Sequence, residues 1–175
     1  MLAENYPYFR YNQEMRRLYR EGEIGEMVYG EGEYVHPMSV EDKNKISPGF
    51  RHWRNNLPAT YYNTHALAPI MYITDTIPVK VNALCIPYLD SDEQTPLLPQ
   101  KGDTSSVILT RMNNESVVRT IGVNLRGHGN WYRIHGTRGL MENLRTFDQQ
   151  MLRVKHDAFE LREGETEEKI YKPEF

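Results

Sequence analysis

From residue 79 onward the chain alternates. The runs "VKVNALCI", "SSVILTRM", "SVVRTIGVNL", "WYRIHG", "GLMENLR" and "MLRVKHD" set apolar side chains at every second position, and Gly, Asn and Asp punctuate the segments between them. Side chains that alternate in this way line one face of a β-strand, whereas helical side chains turn about 100° per residue and cannot keep that period. This half of the chain is therefore committed to strands, and the turn residues between them make it an antiparallel meander.

The first half is different. Residues 1–5 read as the end of a strand, after which "NQEMRRLYREGEIG" carries Met15, Leu18 and Tyr19 at helical spacing, with Gly22 or Gly25 as its stop. "EMVYGEGEYVHP" then alternates, Val28, Gly30, Gly32 and Tyr34 against Met27, Tyr29, Glu31, Glu33 and Val35, until Pro37 ends the strand. Residues 38–60 form a long connection. "HALAPIMYITD" is apolar nearly all round and is expected as a buried helix. Pro69 has no N–H to give that helix, so it lies near the start or at a kink. "PYLDSDEQTPLLPQKGDTS" is a polar loop, and "REGETEEKIYKPEF" reads as a solvated acidic tail.

This order predicts an α+β fold, with an open, mostly antiparallel β-sheet and helices on one face. The other face then needs a cover. Both side-chain sets of "SVVRTIGVNL", namely Val117, Arg119, Ile121, Val123, Leu125 and Val118, Thr120, Gly122, Asn124, contain apolar members, so that face is expected to be a homo-oligomer interface.

Length and charge narrow the classes. A chain of 175 residues holds one domain with a core, and no apolar run is long enough to span a bilayer. "MLAENYPYFRY" lacks the basic start and apolar core of a signal peptide, which points to the cytoplasm. The net charge of -3, with basic residues scattered among acids, gives no footprint for nucleic acid. Cys85, the single cysteine, is expected as a buried strand thiol.

Some residues bear chemistry. In "YYNTHALAP", His65 follows Tyr61, Tyr62, Asn63 and Thr64; it is either a satisfied core histidine or an imidazole set among phenols for proton transfer with a sugar hydroxyl. "RHWRNN" puts Trp53 beside Arg54, a ring that stacks on an apolar sugar face and a fork that binds oxygens, or else a loop pinned by its indole. "RGHGNWYRIHGTRG" gathers His128, Trp131, Tyr132, Arg133, His135 and Arg138, with glycines that mark turns. There is no H-E-x-x-H or C-x-x-C for a metal, no G-x-S-x-G elbow, and no G-x-G-x-x-G for a dinucleotide.

Taken in order, "AENYPYFRYNQEMRRLYREGEIGEMVYGEGEY", "RHWR", "YYNTHALAPIMYITDTIPVKVNAL" and "IHGTRGLMEN" resemble the C-terminal domain of the Gfo/Idh/MocA family of NAD(P)-dependent sugar and polyol oxidoreductases. The resemblance covers residues 1–157 and leaves 158–175 as the tail. It implies an α+β substrate-binding and oligomerisation domain whose open sheet joins subunits. Residues 1–5 would be the remnant of a Rossmann domain that, with the lysine of the family's E-K-P motif, this chain lacks.

By the same resemblance, His65 matches the histidine beside substrate and nicotinamide. Many members carry an aspartate four residues earlier; Tyr61 stands there instead. Tyr62, Thr64 and His65 are similar to the Y-x-T-H-G-L-G-P of the family's NAD-dependent α-N-acetylgalactosaminidase branch, with "ALAP" in place of its last four residues. That likeness makes Tyr62 and His65 catalytic and assigns substrate contacts to Arg54, with Trp53 beside it, to Glu4 of the "E-N" pair, and to Tyr132. NAD or NADP would serve the full-length parent, and the chain alone would bind none and be inactive. The alternatives are a glycosidase of that branch and a stand-alone assembly or carbohydrate-binding module.

Overall fold

The computed structural model describes residues 4–87, 104–145 and 150–174. The start of the expected Rossmann remnant and nearly all of the polar loop after residue 87 lie outside them. Among the described residues three α-helices, α1 (Arg10–Arg20), α2 (Val40–Ile46) and α3 (Thr64–Thr74), accompany eight strands. These are β1 (Met27–Val35), β2 (Pro78–Ile86), β3 (Ser105–Met112), β4 (Val117–Val123), β5 (Gly129–Gly136), β6 (Gly139–Asn143), β7 (Leu152–His156) and β8 (Glu168–Tyr171).

The strands form one open sheet in the order β2-β3-β4-β1-β5-β6-β7-β8. Every neighbouring pair is antiparallel except β1 with β4, which run parallel with Glu31 opposite Arg119. The fold is thus α+β, as the patterning predicts. The first strand lies in the middle, and the meander is split around it.

Two glycines on β1 make room for α3. A Cβ built on Gly32 would fall 2.1 Å from the carbonyl oxygen of Ala66, and one on Gly30 would lie 3.3 Å from the Ile70 side chain. The helix therefore rests almost on bare backbone. Its buried residues are Ala66, Pro69, Ile70, Ile73 and Thr74, while Leu67, Ala68, Met71 and Tyr72 are only half-buried. The helix is one-sided, where its composition predicts burial all round.

Tyr11, Met15 and Leu18 of α1 join Ile70 and Ile73 of α3 over Val118, Tyr132, Ile134, Met141, Leu152 and Val154 of the sheet. Each such side chain contributes about 1.5–3 kcal/mol when fully removed from water. Gly22 and Gly25, at φ 75° and 71°, turn the chain from α1 into β1. At the far end of α3, Asp75 adopts φ 56° and takes Arg16 at 2.8 Å and Arg20 at 3.3 Å, tying the two helices together.

Other expectations are corrected. Cys85 is exposed, because β2 is an outermost strand of the described sheet and no described helix reaches over it; Val81 and Leu84 beside it are 57% and 77% exposed. Residues 4 and 5 are not strand and lead into a 3₁₀ turn, Tyr6–Tyr8. The long connection holds α2, whose N-cap Ser39 accepts from the Asp42 N–H at 3.0 Å. The tail supplies β8, and its Tyr171 hydroxyl donates to Glu14 at 2.6 Å. Glu14 also accepts two bonds from Arg17, which hold its carboxyl below the usual carboxylate range.

The face away from α1 and α3 carries an ionic lattice. Arg119 meets Glu31 at 2.9 Å, while Arg133 and Arg153 meet Glu142 at 2.7 and 3.0 Å. Trp131 is buried between the guanidinium groups of Arg133 and Arg145, 4.5 and 4.0 Å from its ring.

Candidate functional site

The site begins with a missing donor. In a helix the carbonyl of residue 65 accepts from the N–H of residue 69, and here residue 69 is proline, inside α3. The Tyr132 hydroxyl, rising from β5 beneath the helix, donates to the His65 carbonyl at 2.7 Å and takes that place. Burial pushes this phenol well above its ordinary pKa, so it keeps its proton and remains a donor. Pro69, expected near the helix start or at a kink, lies five residues after the first residue of α3, and a tyrosine from the sheet accommodates it there.

A 3₁₀ turn, Ala59–Asn63, runs straight into α3, and the N-cap Asn63 makes no side-chain cap bond. Tyr62 ends up beside the His65 ring, 6.0 Å away between centroids, and Tyr61 stands edge-on to Tyr62 and is exposed.

His65 is oriented by Glu4. Its Nδ1 lies 2.7 Å from Glu4 Oε1, with the two side chains 20% and 14% exposed. A carboxylate only accepts, so Nδ1–H donates, and in the neutral ring Nε2 is then the acceptor. The same Glu4 oxygen accepts from the Tyr6 N–H at 3.1 Å. Tyr6 and Tyr34 pack on the imidazole at 4.4 and 4.5 Å, and their own rings meet edge to face at 5.3 Å. Burial raises the pKa of both phenols, with Glu4 adding to the effect. The aromatic line continues from Tyr34 to His36 at 5.5 Å and from His36 to His128 at 4.8 Å.

Of the residues singled out in the sequence, Glu4, Tyr62 and His65 are brought together, and Tyr132 lies under them, fully buried, with its hydroxyl on the helix backbone. Trp53 and Arg54 sit on a separate 3₁₀ turn, Trp53–Asn56, where the guanidinium lies 5.6 Å from the exposed indole. Tyr6, Tyr34 and His36 belong to the site and were not singled out. Tyr34 had a signal, since Gly30, Gly32 and Tyr34 share the strand face on which α3 lies. Tyr6 had only its place two residues after Glu4.

The arrangement offers an imidazole with one nitrogen tied to a carboxylate and the other open, walled by phenols. It can exchange a proton with a hydroxyl placed against it. Among the described residues one trio has metal-ligand chemistry, Glu23, His156 and Glu165. Arg138 already binds Glu165 at 2.9 Å and Lys169 stands 3.6 Å from Glu23, so the protein's own cations neutralise that trio. No described helix is long and apolar enough to cross a membrane.

Comparison with solved structures bears on the fold. Levoglucosan dehydrogenase in complex with NADH and levoglucosan superposes with a TM-score of 0.74 at 19% identity, over 98% of this chain and 46% of that one. An inositol dehydrogenase homolog from Azotobacter vinelandii, complexed with NAD+, gives 0.70 at 14% identity over 95% and 42%. An oxidoreductase from Sinorhizobium meliloti gives 0.64 at 18% identity over 96% and 41%. The chain has the fold of part of these oxidoreductases and spans less than half of each.

In sequence, a glycosyl hydrolase family 109 protein from Shewanella woodyi is 30% identical over 73 residues, 40% of this chain and 16% of that protein. No protein-family model matches.

Replacing Tyr132 by Phe leaves the His65 carbonyl buried without a donor. Denaturant unfolding is expected to register a loss of about 1–3 kcal/mol, the cost of one unsatisfied buried polar group; a loss indistinguishable from zero would mean that water or a relaxed helix supplies the bond.

Proposed function

We propose that this chain is the substrate-binding and assembly part of a NAD(P)-dependent oxidoreductase acting on a sugar or polyol. The observation that carries this reading is the His65–Glu4 pair at 2.7 Å, set among phenols in a fold shared with oxidoreductases that bind levoglucosan or inositol together with a nicotinamide nucleotide. Among the described residues no strand passes through a glycine-rich turn into a helix, the arrangement that cradles a dinucleotide pyrophosphate. The nucleotide is therefore held elsewhere, by a domain of the kind that fills the rest of the similar structures, and when bound it supplies the hydride chemistry.

In this reading the residues of the chain divide the remaining work. Nε2 of His65 exchanges a proton with the substrate hydroxyl, and Glu4 fixes the ring and stabilises the imidazolium. Tyr62 helps to orient the hydroxyl, Arg54 and Trp53 bind the substrate from their turn, and Tyr132 acts through the helix backbone.

A second reading is a glycosidase that uses the same nucleotide. Its support is the local sequence similarity to the glycosyl hydrolase family 109 protein together with Tyr62, Thr64 and His65 in "YNTH". The open sheet face is proposed to join subunits through its β2–β3 end, where Leu84 and Leu109 are 77% and 46% exposed, beyond the ionic lattice.

In the enzyme joined to its nucleotide-binding part, His65→Gln is expected to lower kcat/KM by about 10² or more, as loss of a general acid or base does. A change of only a few fold would remove His65 from the chemistry. Aryl N-acetylgalactosaminides separate the two readings: p-nitrophenol released without net NADH supports the glycosidase, and net NADH from a free sugar supports the dehydrogenase. Sedimentation should find an oligomer that Leu109→Lys dissociates, and a monomer at all concentrations would refute the interface.

A further inference from the structure

We propose that Asn143 is a positioning residue for this site, setting His65 through Tyr132 of β5. The inference rests on the reading of His65 as the working imidazole for its meaning in turnover, and on geometry alone for its existence.

The β5–β6 ladder pairs His135 with Leu140, Ile134 with Met141 and Arg133 with Glu142, and there it ends. The next pair would be Tyr132 with Asn143, but the Asn143 backbone stays with β7, opposite Leu152. Its side chain takes over where the backbone leaves. Oδ1 accepts from the Tyr132 N–H at 2.7 Å and Nδ2 donates to the Asn130 carbonyl at 3.0 Å, so one fully buried carboxamide grips β5 on both sides of Trp131.

From that gripped stretch the Tyr132 side chain rises to the site, and its hydroxyl donates to the His65 carbonyl at 2.7 Å. Asn143 touches neither His65 nor Glu4, yet the strand residue that holds the His65 backbone is itself held by the Asn143 carboxamide.

The residue type follows from the task. One donor and one acceptor are needed about one residue apart; aspartate lacks the donor, and leucine would leave both β5 groups unpaired in the core. A residue that only filled space would not need this polarity.

The test uses NMR of the isotope-labelled chain without substrate. Asn143→Ala is expected to speed exchange of the Tyr132 N–H by at least about tenfold, because its bond is lost. It should also shift the His65 ring resonances in the direction that Tyr132→Phe does. The double variant should move them no further than the larger single change, since both act through one path. Val154→Ala, a buried truncation on β7, should lower Tm without moving those resonances.

The proposal is overturned if folded Asn143→Ala leaves His65 unmoved, moves it no more than Val154→Ala does, or adds fully to Tyr132→Phe. Should Asn143→Ala not fold, Asn143→Asp decides. It keeps the acceptor for Tyr132 and loses the donor to Asn130, so the Tyr132 N–H must stay protected and the His65 ring resonances must shift less than in Tyr132→Phe; a shift as large as that of Tyr132→Phe with this N–H still protected overturns the proposal. Because no turnover is read, these outcomes stand whether or not His65→Gln abolishes activity.

Discussion

The structure depends on the approach of α3 to β1 with no side chain between them. Gly32 lies so close to the Ala66 carbonyl that any Cβ would collide with backbone, which cannot rotate away as a side chain could. That contact fixes the depth of the helix on the sheet, and with it the height of His65 above Tyr34 and Tyr132. The proline that follows His65 fits the same constraint. It removes a helical donor at the point where the sheet is near enough to supply one, so helix and strand are joined by a bond that a helix with residue 69 other than proline would make within itself.

Much of the fold could be read in the chain. The period-two runs locate β2 to β7, and the alternation of β1 correctly puts Gly30, Gly32 and Tyr34 on one face. Alternation encodes which face a residue occupies and carries no information about which strand lies next to it, so the insertion of β1 between β4 and β5, parallel to β4, could not be seen. The same limit explains Cys85: an apolar run reads as buried, but an outermost strand beyond the reach of the helices is exposed on both sides. Strand β8 was hidden because "EKIY" is short and charged, and its anchor, Glu14, lies on a helix far away in sequence.

The site was legible in part for a related reason. His65 and Tyr62 share one local motif, and the resemblance brought in Glu4, which the structure places against the His65 ring. Pro69 was visible as an anomaly, but its resolution required Tyr132, whose hydroxyl comes from another strand. Tyr6 and Tyr34 became part of the site only through packing. Long-range partners of this kind leave no local trace, because nothing in the spacing of one segment records the height of another.

The chain holds two tryptophans in opposite environments. Trp53 stands in solvent on the turn beside Arg54, and Trp131 is buried between two guanidinium groups on the open face of the sheet. One indole is thus on the turn proposed to bind substrate, and the other lies within the ionic lattice, away from the β2–β3 end proposed to join subunits. Their intrinsic fluorescence divides accordingly, a water-relaxed red component from Trp53 and a shielded bluer one from Trp131, so a single emission spectrum carries separate optical records of the exposed turn and of the packed sheet.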